Sequence, residues 1–251
     1  MDTLKTILEH RTIRNYKNTP IADNILNTIL ESATRASTTG NMQLYSIIVS
    51  KDEEMKKKLC NLHFKQKMVV DAPVLLTFCA DIRRFNKWCE QRKAEPCYDN
   101  FLWFINASID AILATQNAVI AAESFGLGIC YLGTVTYNAD KIIELLKCPG
   151  YVVPVTTIVI GYPADTPPLT DRLPIEAVVH QETYHDYSEG DIDHIYVEKE
   201  ALPLTKALLE ENQLETLAQV FTLKRYSKND NLFFSKKYLE VVVKQGFKLE
   251  E

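Results

Sequence analysis

Leu4, Ile7 and Leu8 recur at helical spacing and share one side of a turn that Asp2 or Thr3 can cap. Beyond Pro20 the same period returns in Ile25, Leu26, Ile29, Leu30 and Ala33, which predicts a second helix. The small polar run Ser37-Thr38-Thr39-Gly40-Asn41 is a loop, Leu44 to Val49 reads as a buried strand, and Asp52 to Leu62 as a charged surface helix. Pro73 to Cys79 is a second apolar strand. Arg83 to Asn100 mixes charges with Trp88 and Pro96 and predicts a mobile helical excursion. Ala107 to Phe125 reads as a long helix of small and apolar residues, stopped at Gly126 and buried on most sides. A short strand around Cys130, a helix from Ala139 to Lys147 and a strand from Val152 to Ile160 follow. After Gly161 the prolines at 163, 167, 168 and 174 impose an extended path. The tail then carries a helix near Lys206 to Leu217, a basic loop at Lys224-Arg225 and a last helix near Ser235 to Lys244.

This order divides the chain into a core over residues 1–165 and a C-terminal arm over 166–251 of the same domain. Alternating helix and strand suggests a doubly wound parallel sheet by default, but the connections leave strand direction open. The pattern alone reaches α/β or α+β.

Composition narrows the partners. With 46% hydrophobic and 24% charged residues among 251, the chain is of globular type. A formal net charge of −5 disfavours general binding to nucleic acid or to an anionic membrane. Asp110, Gln116, Asn117 and Glu123 interrupt the longest apolar stretch, so no membrane span is expected, and Met1 to Glu9 has no leader profile. Cysteines at 60, 79, 89, 97, 130 and 148 form no CxxC pair, which predicts buried, reduced thiols in a cytoplasmic protein. His180, His185 and His194 stand near several aspartates, but their spacing fits no helix-face ligand pair, and no metal is expected.

Five short segments carry candidate chemistry. In His10-Arg11-Thr12-Ile13-Arg14, two guanidiniums three residues apart lie beside a hydroxyl and an imidazole, a phosphate cradle or a solvated basic turn. Ser37, Thr38 and Thr39 either offer donors to a planar heterocycle or cap a turn. Gln66 can donate to and accept from a pyrimidine-like edge. Gly126-Leu127-Gly128 leads to Tyr131-Leu132-Gly133-Thr134; it lacks the third glycine of a dinucleotide fingerprint, and its first glycine ends a helix where the fingerprint begins one. The fifth is Arg172, within LTDRLP.

Taken in order, the segments resemble the nitroreductase family, in its A-type branch of NADPH-preferring nitroreductases and flavin reductases. HRTIR at 10–14, STTGNMQ at 37–43, QK at 66–67, TQNAVIAAESFGLGICYLG at 115–133, GYPAD at 161–165, DRLP at 171–174 and KQGF at 244–247 carry the resemblance. It implies an α+β fold, a mixed β-sheet flanked by helices, built as an intertwined homodimer with FMN at the subunit interface. His10, Arg11, Thr12 and Arg14 would hold the phosphate and one flank of the ring, and Arg172 would return to the phosphate. Ser37, Thr38 and Thr39 would come from the partner subunit, Gln66 would read the pyrimidine edge, and Tyr131, Leu132, Gly133 and Thr134 would line the other side. Lys224 and Arg225 would read the 2′-phosphate of NADPH, with NADH as the other possible donor.

The implied activity is electron transfer from NAD(P)H to a small-molecule acceptor such as a nitroaromatic, quinone or flavin, by a ping-pong mechanism. The flavin performs the hydride chemistry, so no catalytic residue is named. Dehalogenation, cleavage of the flavin ring and non-catalytic flavin binding are the alternative readings. Two departures from the family pattern stand out: Thr170 replaces a common lysine, and Thr134 replaces a common second glycine.

Overall fold

The structure is a computed structural model that describes residues 2–249. The chain forms two compact units, Met1–Pro168 with Phe234–Glu251, and Leu169–Phe233.

The first unit is built on a four-stranded sheet in the order β1-β2-β4-β3, with β1 Tyr45–Ser50, β2 Val74–Asp81, β3 Gly128–Tyr131 and β4 Val152–Gly161. All three neighbouring pairs are antiparallel, so the default of a parallel sheet does not hold. Parallel pairing among the described residues occurs in two isolated bridges, Thr12 with Ile129 and Asn100 with Lys248. Every residue of β2 is buried, and its side chains divide by period two. Val74, Leu76 and Phe78 pack with α2 (Asp23–Thr34) and α6 (Phe101–Ser124), whereas Leu75 joins Leu59, Val69 and Val159 on the opposite face. That second layer includes α3 (Glu53–Leu62) and the short α4 (Met68–Asp71). Within it, the buried Lys56 ammonium donates to the carbonyls of Val70 and Ala72, at 3.2 and 2.8 Å.

Local chemistry sets the boundaries. Asp2 caps α1 (Thr3–Leu8), Asp52 caps α3, and Asn100 caps α6 through the backbone N–H of Trp103. The Asn100 cap starts α6 six residues before the start that composition suggests. The longer helix includes Phe101 to Ile105 and is apolar and long enough to cross a membrane, contrary to the sequence expectation. Its packing against α2 and the sheet instead marks it as a core helix. Residues 83–100 are helical over α5 (Arg83–Gln91). Their remainder is held by Tyr98 against Phe85 and Trp103, and by an Asp99–Lys248 ion pair at 2.7 Å. Helix α7 (Ala139–Leu146) ends at left-handed Lys147, φ 55°.

In the second unit, α8 (Glu189–Ala201), α9 (Pro203–Asn212) and the single turn α10 (Leu217–Gln219) follow an extended stretch. The sequence pattern missed α8, whose apolar residues form no stripe; its signal was the capping box Ser188-x-x-Asp191. The last helix, α11 (Lys228–Lys244), begins in this unit and ends in the first.

Candidate functional site

Of the candidate residues of the first unit, 10–14, 66 and 131–134 gather around β3 and the turn that follows it. Residues 10–14 lie along that strand, with the Ile13 N–H donating to the Ile129 carbonyl at 2.9 Å. Two glycines permit the approach. A Cβ on Gly128 would stand 2.3 Å from Ile13 Cγ1, and one on Gly161 would stand 2.8 Å from Tyr16 and 2.6 Å from Pro73. Gly128 and Gly161 are register partners in β3 and β4, so the N-terminal segment crosses where neither strand carries a side chain. This fixes Thr12 and Ile13 beside Gly128 and Ile129, just ahead of Tyr131 to Thr134 in the chain.

At one end of this cluster the His10 ring bonds Glu123 through Nδ1 at 2.6 Å. Burial raises the Glu123 carboxyl above its ordinary range, against the lowering effect of His10. Tyr131 donates to Gln116 Oε1 at 3.0 Å, and burial together with Glu123 pushes its phenol up to about 12. Tyr131 is therefore a neutral donor throughout the physiological range. At the other end, Gln66 donates from Nε2 to the His63 carbonyl at 3.0 Å and to Thr134 Oγ1 at 3.3 Å. His63 Nδ1 lies 2.7 Å from the same hydroxyl, and its buried Nε2 has no partner. Burial alone drives the His63 pKa down to about 4, so the ring is neutral. His63 was not among the residues expected from sequence.

The loop over 37–39 is held elsewhere in this unit. The buried carboxylate of Asp110, on α6, accepts from the Thr39 N–H at 2.8 Å, from Thr39 Oγ1 at 3.2 Å and from the Leu44 N–H at 3.0 Å. Gly40, Asn41 and Gln43 are left-handed, which folds the loop tightly around that anchor. Ser37 is exposed and Thr38 half-buried. None of the hydrogen bonds described joins this loop to residues 10–14, 66 or 131–134. Asp110 was also missed, although one carboxylate in a run of alanines and isoleucines was the available signal.

The three candidate guanidiniums, Arg11, Arg14 and Arg172, form no ion pair among the described residues. Arg11 donates to the Glu9 carbonyl at 3.0 Å and has a buried Nε with no partner; Arg14 is exposed. Arg172, in the second unit, bonds only backbone carbonyls, those of Asp171 at 2.9 Å and Thr170 at 3.4 Å. Cations left without carboxylates suit a phosphate, and hydroxyl and amide donors around Thr134 suit a polar heterocycle edge. The residues present thus fit FMN.

The Nitroreductase family model matches residues 7–162. The chain belongs to the nitroreductase family. An FMN reductase [NAD(P)H] of Bacillus subtilis is 35% identical over 263 residues, covering 100% of this chain and 99% of its own. A second B. subtilis relative, FMN reductase (NADPH), is 38% identical over 186 residues, 73% of this chain and 75% of its own. A solved structure from Bacteroides fragilis, 52% identical, superposes with a TM-score of 0.96 and covers 97% of this chain and 99% of that one.

The departures from the family pattern have local consequences. Thr134 lies in a 3₁₀ turn without a positive φ, so a β-branched residue fits the backbone, and its hydroxyl ties His63 to Gln66. Beside Thr170, Asp171 pairs with Lys199 at 2.5 Å, which brings an ammonium to the residue next to Arg172. Lys224 and Arg225 end a wide helical turn over Val220–Arg225 and do not form the expected loop. There Arg225 stacks over Phe221, 5.7 Å from the ring centre.

Proposed function

We propose that this chain is an FMN-dependent oxidoreductase that passes electrons from NADPH, with NADH as a second donor, to nitroaromatics, quinones or flavins. The observation that carries the reading is the convergence of residues 10–14, Gln66 and 131–134 at the end of β3, in a nitroreductase-family chain whose full-length relative is an FMN reductase. When bound, FMN accepts and donates hydride. In the first unit Arg11 and Arg14 would hold its phosphate, and His10 and Thr12 would flank the ring. With its amide nitrogen engaged, Gln66 offers its carbonyl oxygen to a ring N–H, while Tyr131, Leu132, Gly133 and Thr134 line the opposite side. Both half-reactions would use the same site in turn, which gives ping-pong kinetics. Lys224 and Arg225 receive the 2′-phosphate of NADPH.

The protein works as a cytoplasmic homodimer, and Ser37, Thr38 and Thr39 reach the flavin of the partner subunit. Supporting this, α6 exposes Phe101, Leu102, Ile105, Ile109, Ile112 and Leu113 on one side, each between 37% and 62% accessible. Gln116 and Glu123 continue the same side of the helix toward Tyr131 and His10.

A steady-state screen of nitrofurazone, menadione and free FMN with both nicotinamides tests the activity. Saturable NADPH oxidation with parallel double-reciprocal lines is expected; protein that purifies with flavin but turns over none of the three acceptors would contradict it. In Lys224→Ala/Arg225→Ala, the NADPH:NADH ratio of kcat/KM is expected to fall.

A further inference from the structure

A cavity of about 530 Å³ opens in the first unit between α5 and the end of α7, and none of the residues assigned to the flavin lines it. Arg83, Arg84, Lys87 and Lys147 line it, although the whole chain carries a net charge of −5. Its acidic lining residue, Asp81, is buried and already accepts from the Ser46 hydroxyl and from the backbone N–H of Arg83 at 2.9 Å. Trp88 adds an exposed aromatic surface. The cavity is thus shaped for a small anion with an apolar part.

Cys148 also lines the cavity, half-buried, and its side chain lies beside that of the fully buried Cys79. The two thiols are distant in sequence, so no spacing motif announces them. Their environments differ. The neighbouring Cys79 lowers the Cys148 thiol, against burial and Asp81, whereas Cys79 is held well above its ordinary range. Closing from side-by-side thiols to a disulfide of about 2 Å needs movement. Cys148 lies in the turn between left-handed Lys147 and Pro149-Gly150, and β2 is irregular between Phe78 and Cys79.

We propose that Cys148 and Cys79 form a dithiol that exchanges with anionic low-molecular-weight disulfides bound in this basic cavity. The Cys148 thiolate attacks one sulfur of the bound disulfide, the S–S bond breaks, and one thiolate leaves. The Cys79 thiol then gives up its proton and attacks Cys148 in the mixed disulfide, releasing the second thiolate. The balance is one small disulfide reduced to two thiols and two protein thiols oxidised to Cys79–Cys148. Four cations favour the incoming anion.

The test uses flavin-loaded full-length protein without nicotinamide, so that the flavin supplies no electrons, and carries Cys97→Ser to remove an exposed thiol. The probe is the dianionic aromatic disulfide dithiobis(nitrobenzoate). Two thionitrobenzoates released per Cys148 consumed, and a Cys79–Cys148 cross-linked peptide by mass spectrometry, are expected. In Cys79→Ala the adduct remains on Cys148 with a single release. In Lys87→Gln/Lys147→Gln the reaction slows on the order of tenfold, while the neutral probe hydroxyethyl disulfide changes by less than about twofold. An adduct persisting on Cys148 when Cys79 is present, an unreacted Cys148, or equal slowing of both probes would overturn the proposal. Should Cys79→Ala fail to fold, the peptide map and the charge variant decide it.

Discussion

The two sides of α6 have opposite designs. Toward the sheet it presents Ala107, Ala111, Ala114, Ala118 and Ala122, all fully buried, and their small side chains let helix and sheet pack closely. The other side presents Phe101, Leu102, Ile105, Ile109, Ile112 and Leu113, all exposed in the single chain. Large apolar residues are thus placed where one chain leaves them bare, and small ones where the core is made. In the proposed homodimer a second copy covers this bare side, which runs into Gln116 and Glu123 at the candidate site. Stability of the site and closure of that surface would then be coupled.

The largest way to break this contrast is to charge the bare side. In Ile109→Glu/Ile112→Glu, unpaired charges in a closed interface cost about 3–5 kcal/mol, and the protein is expected to elute as a monomer and lose its flavin. Asp110 tests the edge between the two sides. Asp110→Ala leaves the N–H groups of Thr39 and Leu44 without an acceptor, a loss of about 2–4 kcal/mol in urea unfolding.

Acid sharpens the comparison at the β3 end. The folded His63 has its pKa lowered from 6.5 to about 4, so the unfolded chain takes the proton first as pH falls. Stability is full above the ordinary histidine pKa, is lost on descending through this window, and levels off below it. The full loss from this residue is about 3 kcal/mol, and His63→Gln should flatten that part of the acid slope. The smallest effect is expected of Gly128→Ala. Its methyl group pushes Ile13 outward, costs about 1–3 kcal/mol and weakens flavin retention, as read by fluorescence on dilution.

Much of the architecture was legible because it rests on local rules. Periodicity marked α2 and α3, Gly126 marked the end of α6, and apolar runs marked β2 and β4. Strand direction was not legible, since antiparallel pairing of β2 with β4 joins segments some 70 residues apart. Helix α8 escaped because it has no apolar stripe to register. Within the site, sequence singled out the residues that offer guanidiniums, hydroxyls and amides. It passed over Asp110 and His63, whose roles come from burial and from partners distant in sequence. The same holds for Cys79 and Cys148: no CxxC pair marks them, and only the fold brings their side chains together.

The central claim, a flavin site completed by a second copy at the bare side of α6, is tested most directly by sedimentation velocity of the wild-type protein. Detection runs at the protein band and at the flavin band near about 450 nm, across a dilution series. The account predicts that flavin absorbance sediments only with the dimer and appears as free cofactor wherever monomer forms. A monomer boundary that carries flavin in stoichiometric amount would contradict it.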